Sequence, residues 1–231
     1  IKSIKKVKEQ KPDTLIKFQV IDDNSNDENL KKLKDLINSN SIDCKIIHHN
    51  NSEHKEKIAA ENNQETFGNL SSLLKCFEIA KKEQSDLIYF VEDDYLHYDH
   101  SLVDMLDTYE RISSQHKDEI IVCPSDYPFN YMTNEKTNIL IGSQQHWRII
   151  TKMLCTFMIS KKMFQKHINN FEKTCEKRHD PFEKYLNEVL QKEIAISPIK
   201  SLAIHLTNVN SSYGLSPFID YKKLWDENKV K

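Results

Sequence analysis

The stretch from Leu87 to Asp94 reads LIYFVEDD, an apolar run that ends in three consecutive acids. Its first five residues predict a buried strand, since short continuous apolar segments are typical of strands covered on both faces. A second strand, predicted over 15–21, also runs into acids, Asp22 and Asp23. Ligands of open α/β sheets bind beyond the carboxyl ends of the strands. The two acidic segments therefore mark the edge of the sheet where we expect a site.

Strands alternate with helices in the first half of the chain. Strands are predicted over 15–21, 44–48, 87–91 and 119–123, and apolar stripes predict helices over 30–37, 69–82 and 101–113. This alternation is typical of βαβ units and predicts an α/β fold with a mostly parallel central sheet flanked by helices. After Pro124 the pattern changes to a strand over 154–159 and helices over 161–175 and 181–191. We predict one domain over 1–231, with halves at 1–124 and 125–231.

The composition excludes several classes of protein. The chain of 231 residues has three glycines, so it contains neither a P-loop nor a G-x-G-x-x-G phosphate loop. A net charge of −2 argues against a nucleic-acid partner, and no apolar run is long enough to be a transmembrane segment. The five cysteines are scattered, which excludes a C-x-x-C site and predicts free thiols in a reducing compartment. We therefore expect a cytoplasmic protein, with peripheral membrane association as the alternative.

The acidic triplet predicts a metal site. Adjacent carboxylates raise one another's pKa unless a cation neutralises them. Mg²⁺ and Mn²⁺ prefer oxygen ligands and commonly take one or two protein carboxylates, with water and substrate phosphates completing the shell. Glu92, Asp93 and Asp94 supply such ligands. The alternative is a solvated turn that leads into the next helix, because Asp favours turns and caps.

These residues also resemble a known family. The segment YFVEDDYLH (89–97), with VIDDNSND (20–27) before it, resembles the glycosyltransferase A fold of nucleotide-diphospho-sugar transferases. That family carries a D-x-D or E-D-D motif after an apolar strand, and this variant is similar to that of N-acetylglucosaminyltransferase I-type enzymes. The resemblance covers most of the chain. It implies a Rossmann-like domain that binds a nucleotide sugar with 1–124 and the acceptor with 125–231, and a first strand that precedes Ile1.

The resemblance also implies roles for the acids. Asp94 would bind Mn²⁺ or Mg²⁺, which bridges the diphosphate of the donor. Glu92 and Asp93 would contact the ribose or the metal-bound water. Asp22 or Asp23 would face the base or the ribose of the nucleotide.

The segment RHDPFE (178–183) has two interpretations. Asp180 as N-cap, Pro181 in the first turn and Glu183 two residues later give a capping-box-like start to the helix over 181–191. An acid at the start of a late helix also resembles the catalytic base of the family, and a helix N-terminus would keep its carboxylate ionised. We predict Asp180 as the base, with Glu183 as the alternative.

His205 lies in the apolar segment 201–206, where a single histidine is commonly a satisfied core residue. The resemblance offers a second interpretation, in which His205 is a further metal ligand and the loop 207–214 folds over the donor. Trp147 and Arg148 offer a ring that stacks on a sugar and a guanidinium that binds phosphate. The alternative for this pair is a surface strand with a half-buried Trp.

The remaining paired histidines do not predict zinc. The pairs His48-His49 and His97-x-x-His100 have no cysteine or third histidine at ligand spacing. We interpret them as solvated residues of a loop and of a helix start.

The predicted function is a metal-dependent glycosyltransferase. It would transfer a sugar from a nucleoside-diphosphate sugar, with UDP favoured, to a hydroxyl of a carbohydrate or lipid-linked acceptor, with inversion. Two alternatives remain open: a nucleotidyltransferase with the same type of sheet, and a non-catalytic carbohydrate-binding module. The first would need a Gly-rich basic loop, and the second is disfavoured by the intact acids of residues 92–94.

Overall fold

The computed structural model describes residues 1–58, 61–206, 209–216 and 219–229. The helices in this part of the chain are α1 (Lys2–Gln10), α2 (Asp27–Ser39), α3 (Gln64–Lys82), α4 (Ser101–His116), α5 (Lys161–Lys166), α6 (Ile168–Thr174), α7 (Lys184–Leu190) and α8 (Tyr221–Asn228). The strands are β1 (Phe18–Asp22), β2 (Cys44–His48), β3 (Leu87–Phe90), β4 (Tyr95–His97), β5 (Ile121–Val122), β6 (Ile139–Ile141), β7 (His146–Ile149), β8 (Phe157–Ser160), β9 (Ala195–Pro198) and β10 (Ala203–His205). The chain is a mixed α/β protein.

Six strands form the main sheet, in the order β3-β8-β5-β9-β7-β6. Only β5 and β9 pair in parallel among these described strands, and the other four pairings are antiparallel. The prediction of a mostly parallel sheet is therefore wrong. The directions of the pairings still leave β3, β5 and β9 pointing the same way, so their carboxyl ends meet at one edge.

The position of β8 explains the error. This strand comes from the second half of the chain, yet it lies between β3 and β5 and is antiparallel to both. All four of its residues are buried. The alternation of strands and helices indicates that β3 and β5 share a direction, but a strand from a distant segment can insert between them without a periodic signal. Strands from 1–124 and 125–231 are thus interleaved in one sheet.

A smaller parallel sheet, β1 with β2, lies beside α3. Lys17 and Gln19 donate hydrogen bonds of 2.9 Å to Glu83, just after the end of α3, whereas Asp23 accepts one of 3.4 Å from Ser72 in its first half. The strand β1 therefore runs antiparallel to α3. The strand β3, which follows α3 through a short turn, also returns along it. The carboxyl ends of β1 and β3 consequently lie towards the amino-terminal part of α3.

Two cores cover the two faces of the main sheet. One contains Phe77 of α3, Phe171 of α6 and Phe157 of β8. The other contains Met105 of α4 and Met158 of β8. Successive residues of β8 point to opposite faces, as the pleat of a strand requires. The sheet is thus buried on both sides, and its carboxyl edge remains for a site.

Gly142 lies against the ring of Trp147. A Cβ atom at position 142 would come within 2.2 Å of Trp147 Nε1 and 2.9 Å of Thr108 Oγ1. Trp147 is fully buried, so its ring cannot move without disturbing the close-packed core. We expect Gly142→Ala to lower the free energy of unfolding by about 1–3 kcal/mol, measured by urea denaturation.

Gly68, in α3, is the matched control. A Cβ atom there would lie 3.3 Å from Asp23 Oδ2, and replacement of a helical glycine by alanine gains about 1 kcal/mol in helix propensity. Gly68→Ala should therefore unfold at or above the wild-type urea concentration, since the close contact with Asp23 offsets at most part of that gain. Equal losses of stability in the two variants would contradict this account of Gly142.

Candidate functional site

Asp94 and His205 meet at the carboxyl edge of the main sheet. The chain leaves β3 at Phe90, passes through the acidic triplet and enters β4, which pairs antiparallel with β10. This pairing sets His205 opposite Tyr95 and brings His205 Nε2 to 2.9 Å from Asp94 Oδ2. The backbone N–H of Leu206 also donates to the carbonyl of Asp94 at 2.8 Å. Two residues that are distant in the sequence are thus held together by a short β-ladder.

The ring of His205 is fixed on its other side as well. Its Nδ1 lies 3.1 Å from the carbonyl oxygen of Tyr213, so Nδ1–H donates there. The ring stacks on Tyr95 with centroids 5.0 Å apart. Burial acts to lower the pKa of His205, but the hydrogen bond to Asp94 and the charge of that carboxylate outweigh burial and raise it. Nε2 therefore points at Asp94 in a defined orientation.

The pair has a separation that suits two ligands of one divalent cation. Ligands at about 2.1 Å on adjacent corners of an octahedron lie about 3.0 Å apart, which is close to the 2.9 Å between Nε2 and Oδ2. The side chains of Asp94 and His205 are 31% and 14% exposed, so the pair is open to solvent. The described residues contain no group of three His, Cys, Asp or Glu side chains arranged to hold a metal. An ion here would take two protein ligands and complete its shell from water and substrate.

Glu92 interacts electrostatically with the same pair, whereas Asp93 is exposed. The backbone N–H of Glu92 donates to Thr156 Oγ1 at 3.0 Å, and the Thr156 hydroxyl donates to Glu92 Oε2 at 3.3 Å. Burial, followed by the charge of Asp94, raises the pKa of Glu92 to about 7. The acids of the triplet thus differ in environment. Thr156 contacts Glu92 at the site, and no motif in the sequence singles it out.

The structure separates the two candidate bases. Asp180 is exposed and does not cap a helix, because α7 begins at Lys184 with Glu183 as its N-cap residue and no side-chain cap. The capping-box prediction is therefore wrong. Glu183 is partly buried, and burial raises its pKa although the charge of His205 acts in the opposite direction. The charge of Glu183 in turn helps to raise the pKa of Glu92. Of the two candidate bases, Glu183, the alternative, is thus the one that interacts electrostatically with His205 and Glu92.

Asp22 and Asp23 follow β1 and have different surroundings. Asp22 is buried and accepts from the backbone N–H of Ser25 at 3.2 Å and from His48 Nδ1 at 3.0 Å. Burial acts to raise the pKa of Asp22, but hydrogen bonds from the side chain of Ser25, from His48 and from the backbone of Ser25 outweigh burial and lower it. Asp23 is partly exposed and accepts from Asn51 at 3.2 Å. Asp23 is therefore the more accessible of the two to a ligand.

Four buried or partly buried side chains behind Asp23 form a hydrogen-bonded chain. His54 Nε2 lies 3.3 Å from Glu78, and Ser71 Oγ lies 2.8 Å from both His54 Nδ1 and His49 Nε2. With both rings neutral, His54 donates to Glu78, Ser71 donates to His54, and His49 donates to Ser71. This chain leaves His49 Nδ1 unprotonated, and that atom has no hydrogen-bond partner among the described residues.

The prediction of solvated histidines is confirmed at two positions and wrong at two. His48 and His100 are exposed, whereas His49 is buried. His97 donates or accepts a 2.6 Å hydrogen bond with Tyr89, and burial lowers its pKa to about 4. The local sequence around these histidines carries no apolar pattern that distinguishes the buried members from the exposed ones.

His49 should make stability depend on pH. Burial, followed by the charge of His54, lowers the pKa of His49 in the folded protein. The unfolded chain therefore binds this proton more readily, so the contribution is present above about pH 6.5 and is lost as the pH falls towards the folded pKa. We expect the urea midpoint to fall between about pH 7.5 and 5.5, and His49→Gln to reduce that fall without abolishing it, because the lowered pKa of His97 acts in the same direction. His100→Gln, at an exposed histidine, should keep it, and a flattened curve in this control would contradict the assignment.

Trp147 and Arg148 are not at the surface. Trp147 is fully buried in the core that contains Met105 of α4, so neither face of its ring is accessible for stacking on a sugar. The Arg148 guanidinium lies 3.5 Å from Asp126 in a buried pair, beneath the ring of Tyr131 at 4.3 Å. The predicted contacts with a nucleotide sugar are therefore corrected: the pair helps to hold β7 in the sheet. The residues before this pair are the polar Gln144, Gln145 and His146, so the local sequence did not reveal its burial.

The loop predicted to fold over the donor, 207–214, lies in part outside the described residues, which exclude 207–208. No helix in the described part of the chain has both the length and the apolar character needed to cross a bilayer. The sequence matches no protein-family profile, and no curated protein matches it.

Proposed function

We propose that the protein is a metal-dependent glycosyltransferase that transfers a sugar from a nucleoside-diphosphate sugar, with UDP favoured, to a hydroxyl of a carbohydrate or lipid-linked acceptor. The observation that carries the proposal is the pair formed by Asp94 Oδ2 and His205 Nε2, 2.9 Å apart at the carboxyl edge of the sheet. A carboxylate and an imidazole that converge at an open edge suit Mn²⁺ or Mg²⁺. Such an ion supplies positive charge for the diphosphate, which the glycine-poor chain cannot hold in a phosphate loop.

The residues of the chain divide the work by position. Asp94 and His205 would hold the ion, and binding would displace the proton between them. Asp23, beyond β1, would contact the ribose or base, with Asp22 orienting the loop. Glu183 would accept the proton of the acceptor hydroxyl as its oxygen attacks the anomeric carbon and the bond to the diphosphate breaks. Attack opposite the leaving group inverts the configuration.

The surroundings of the site support this division. Glu92 is partly buried next to Asp94, and burial with that neighbouring charge raises its pKa to about 7. A nearby cation would favour the ionised form of Glu92, and the negative charge of Glu92 would in turn attract the cation. The five cysteines are all free, which supports the cytoplasm as the compartment, with peripheral membrane association as the alternative.

A thermal-shift panel tests the proposal. UDP-, GDP-, CMP- and dTDP-sugars are compared with and without Mn²⁺. A donor present at 100 times its Kd should stabilise the fold by about 2.7 kcal/mol. Stabilisation should require Mn²⁺ and should favour one nucleotide. If no donor raises the melting temperature, or if donors act equally without a metal, the proposal is wrong.

A further inference from the structure

A small pocket lies between helix α8 and the chain that follows β10. Its lining consists of apolar and aromatic side chains with two charged ones, namely Leu206, Val209, Tyr221, Lys222, Trp225 and Asp226. Leu206 connects the pocket to the candidate metal pair. Leu206 directly follows His205, and its backbone N–H donates to the carbonyl of Asp94 at 2.8 Å. The pocket is thus joined to the candidate metal pair by a directly bonded stretch of chain.

Helix α8 supplies the aromatic wall. Tyr221 and Trp225 are four residues apart, so their rings lie on one face of the helix. The helix itself is anchored, because Leu224 is buried and Asp220 accepts a 3.0 Å hydrogen bond from the backbone N–H of Lys223. Trp225 nevertheless remains 50% exposed. An indole on a fixed helix that faces a pocket is available to a ligand.

The rim of the pocket is charged. Lys222 and Asp226 are also four residues apart on α8 and are exposed. One offers hydrogen-bond donors and the other offers acceptors. The pocket thus combines an apolar aromatic wall with polar groups of both kinds at its edge. A sugar ring has the matching surface, because its C–H groups form an apolar face and its hydroxyls both donate and accept.

We propose that this pocket binds the acceptor, with a pyranose ring stacked on Trp225 and hydroxyls paired with Lys222 and Asp226. The inference rests on the proposed function, in which Asp94 and His205 would hold an ion that binds the donor diphosphate. The first sugar ring is that of the donor, so a second ring bound in this pocket would be that of the acceptor. An alkyl chain is a poorer match, since the charged rim would leave it partly against Lys222 and Asp226.

The two tryptophans of the chain make the test selective. Trp147 is fully buried and Trp225 is half exposed, so iodide should quench the emission of Trp225 and not that of Trp147. The full chain is titrated with iodide in the presence of methyl glucoside, methyl galactoside, chitotriose, maltotriose or octyl glucoside. We expect at least one of the first four saccharides, at up to about 10 mM, to protect Trp225. In Trp225→Phe the remaining emission should respond to neither iodide nor saccharide.

The outcomes distinguish the pocket from the proposed function. Donor binding with Mn²⁺ but no saccharide protection would overturn the pocket assignment alone. Saccharide protection without donor binding would support a carbohydrate pocket and remove its role as an acceptor site. Protection by octyl glucoside but not by methyl glucoside or the oligosaccharides would assign the pocket to an alkyl chain and overturn the inference. A saccharide response that persists in Trp225→Phe would also overturn it, because the signal would then come from Trp147.

Discussion

Replacement of Asp94 by alanine should lower the affinity for Mn²⁺ by at least about 100-fold, since substitutions that only support a metal ligand already cost 10–100-fold. The reason is the geometry of the pair. Asp94 Oδ2 and His205 Nε2 are 2.9 Å apart, and one imidazole alone cannot hold a hard cation against water. The affinity is measured by titration calorimetry with Mn²⁺ and the nucleotide found by thermal shift. His205→Ala should also weaken binding, because it removes the second ligand.

Asp93→Ala provides the matched control. This residue belongs to the same acidic triplet and carries the same charge, but it is exposed. The calorimetric affinity of Asp93→Ala for Mn²⁺ should stay within about threefold of the wild-type value, since a solvent-exposed charge interacts weakly with its neighbours. If the two variants lose affinity equally, the ion is attracted by the net charge of the triplet and not by a defined ligand.

The sequence was sufficient to locate one side of this site. The apolar run before residues 92–94 correctly predicted a strand at Leu87–Phe90, and the triplet lies at the sheet edge as expected. The partner of Asp94 was proposed only through resemblance, because nothing local distinguishes a ligand histidine from a core one. The pairing of β4 with β10 brings His205 to Asp94, and a ladder of three residues leaves little trace in the sequence.

Other features could not be predicted because they depend on tertiary packing. The strand β8 inserts between β3 and β5, and this changes the sheet from parallel to mixed. Trp147 of β7 occupies the space that Gly142 leaves free. Its burial therefore depends on a glycine that follows the neighbouring strand β6. The segment around Asp180 has the composition of a helix start, but the chain turns over 181–183 before α7 begins. In each case local preference competed with a contact made elsewhere.

Replacement of Glu183 by glutamine should reduce turnover by about 100-fold or more, the usual contribution of a general base, while donor binding is retained. Burial raises the pKa of Glu183, which makes its carboxylate a better proton acceptor than an exposed one. The rate of the wild-type enzyme should rise with pH through that pKa, because only the ionised form accepts a proton. Turnover is measured at saturating Mn²⁺ as nucleoside diphosphate released from the identified donor, and the part of the acid limb that is set by Glu183 should disappear in the variant.

Asp180→Asn distinguishes the roles of the two carboxylates, Asp180 and Glu183, which are three residues apart in the sequence. Asp180 is exposed, and the charge of His205 acts on Glu183. If Glu183 is the base, Asp180→Asn should retain most of the turnover and the same acid limb. A loss of about 100-fold in Asp180→Asn, with normal turnover in Glu183→Gln, would return the role to Asp180 and require the segment 180–183 to rearrange when the acceptor binds. Because both variants remove one negative charge from the same turn, a general electrostatic effect would lower both rates alike, and only a proton acceptor would lower one.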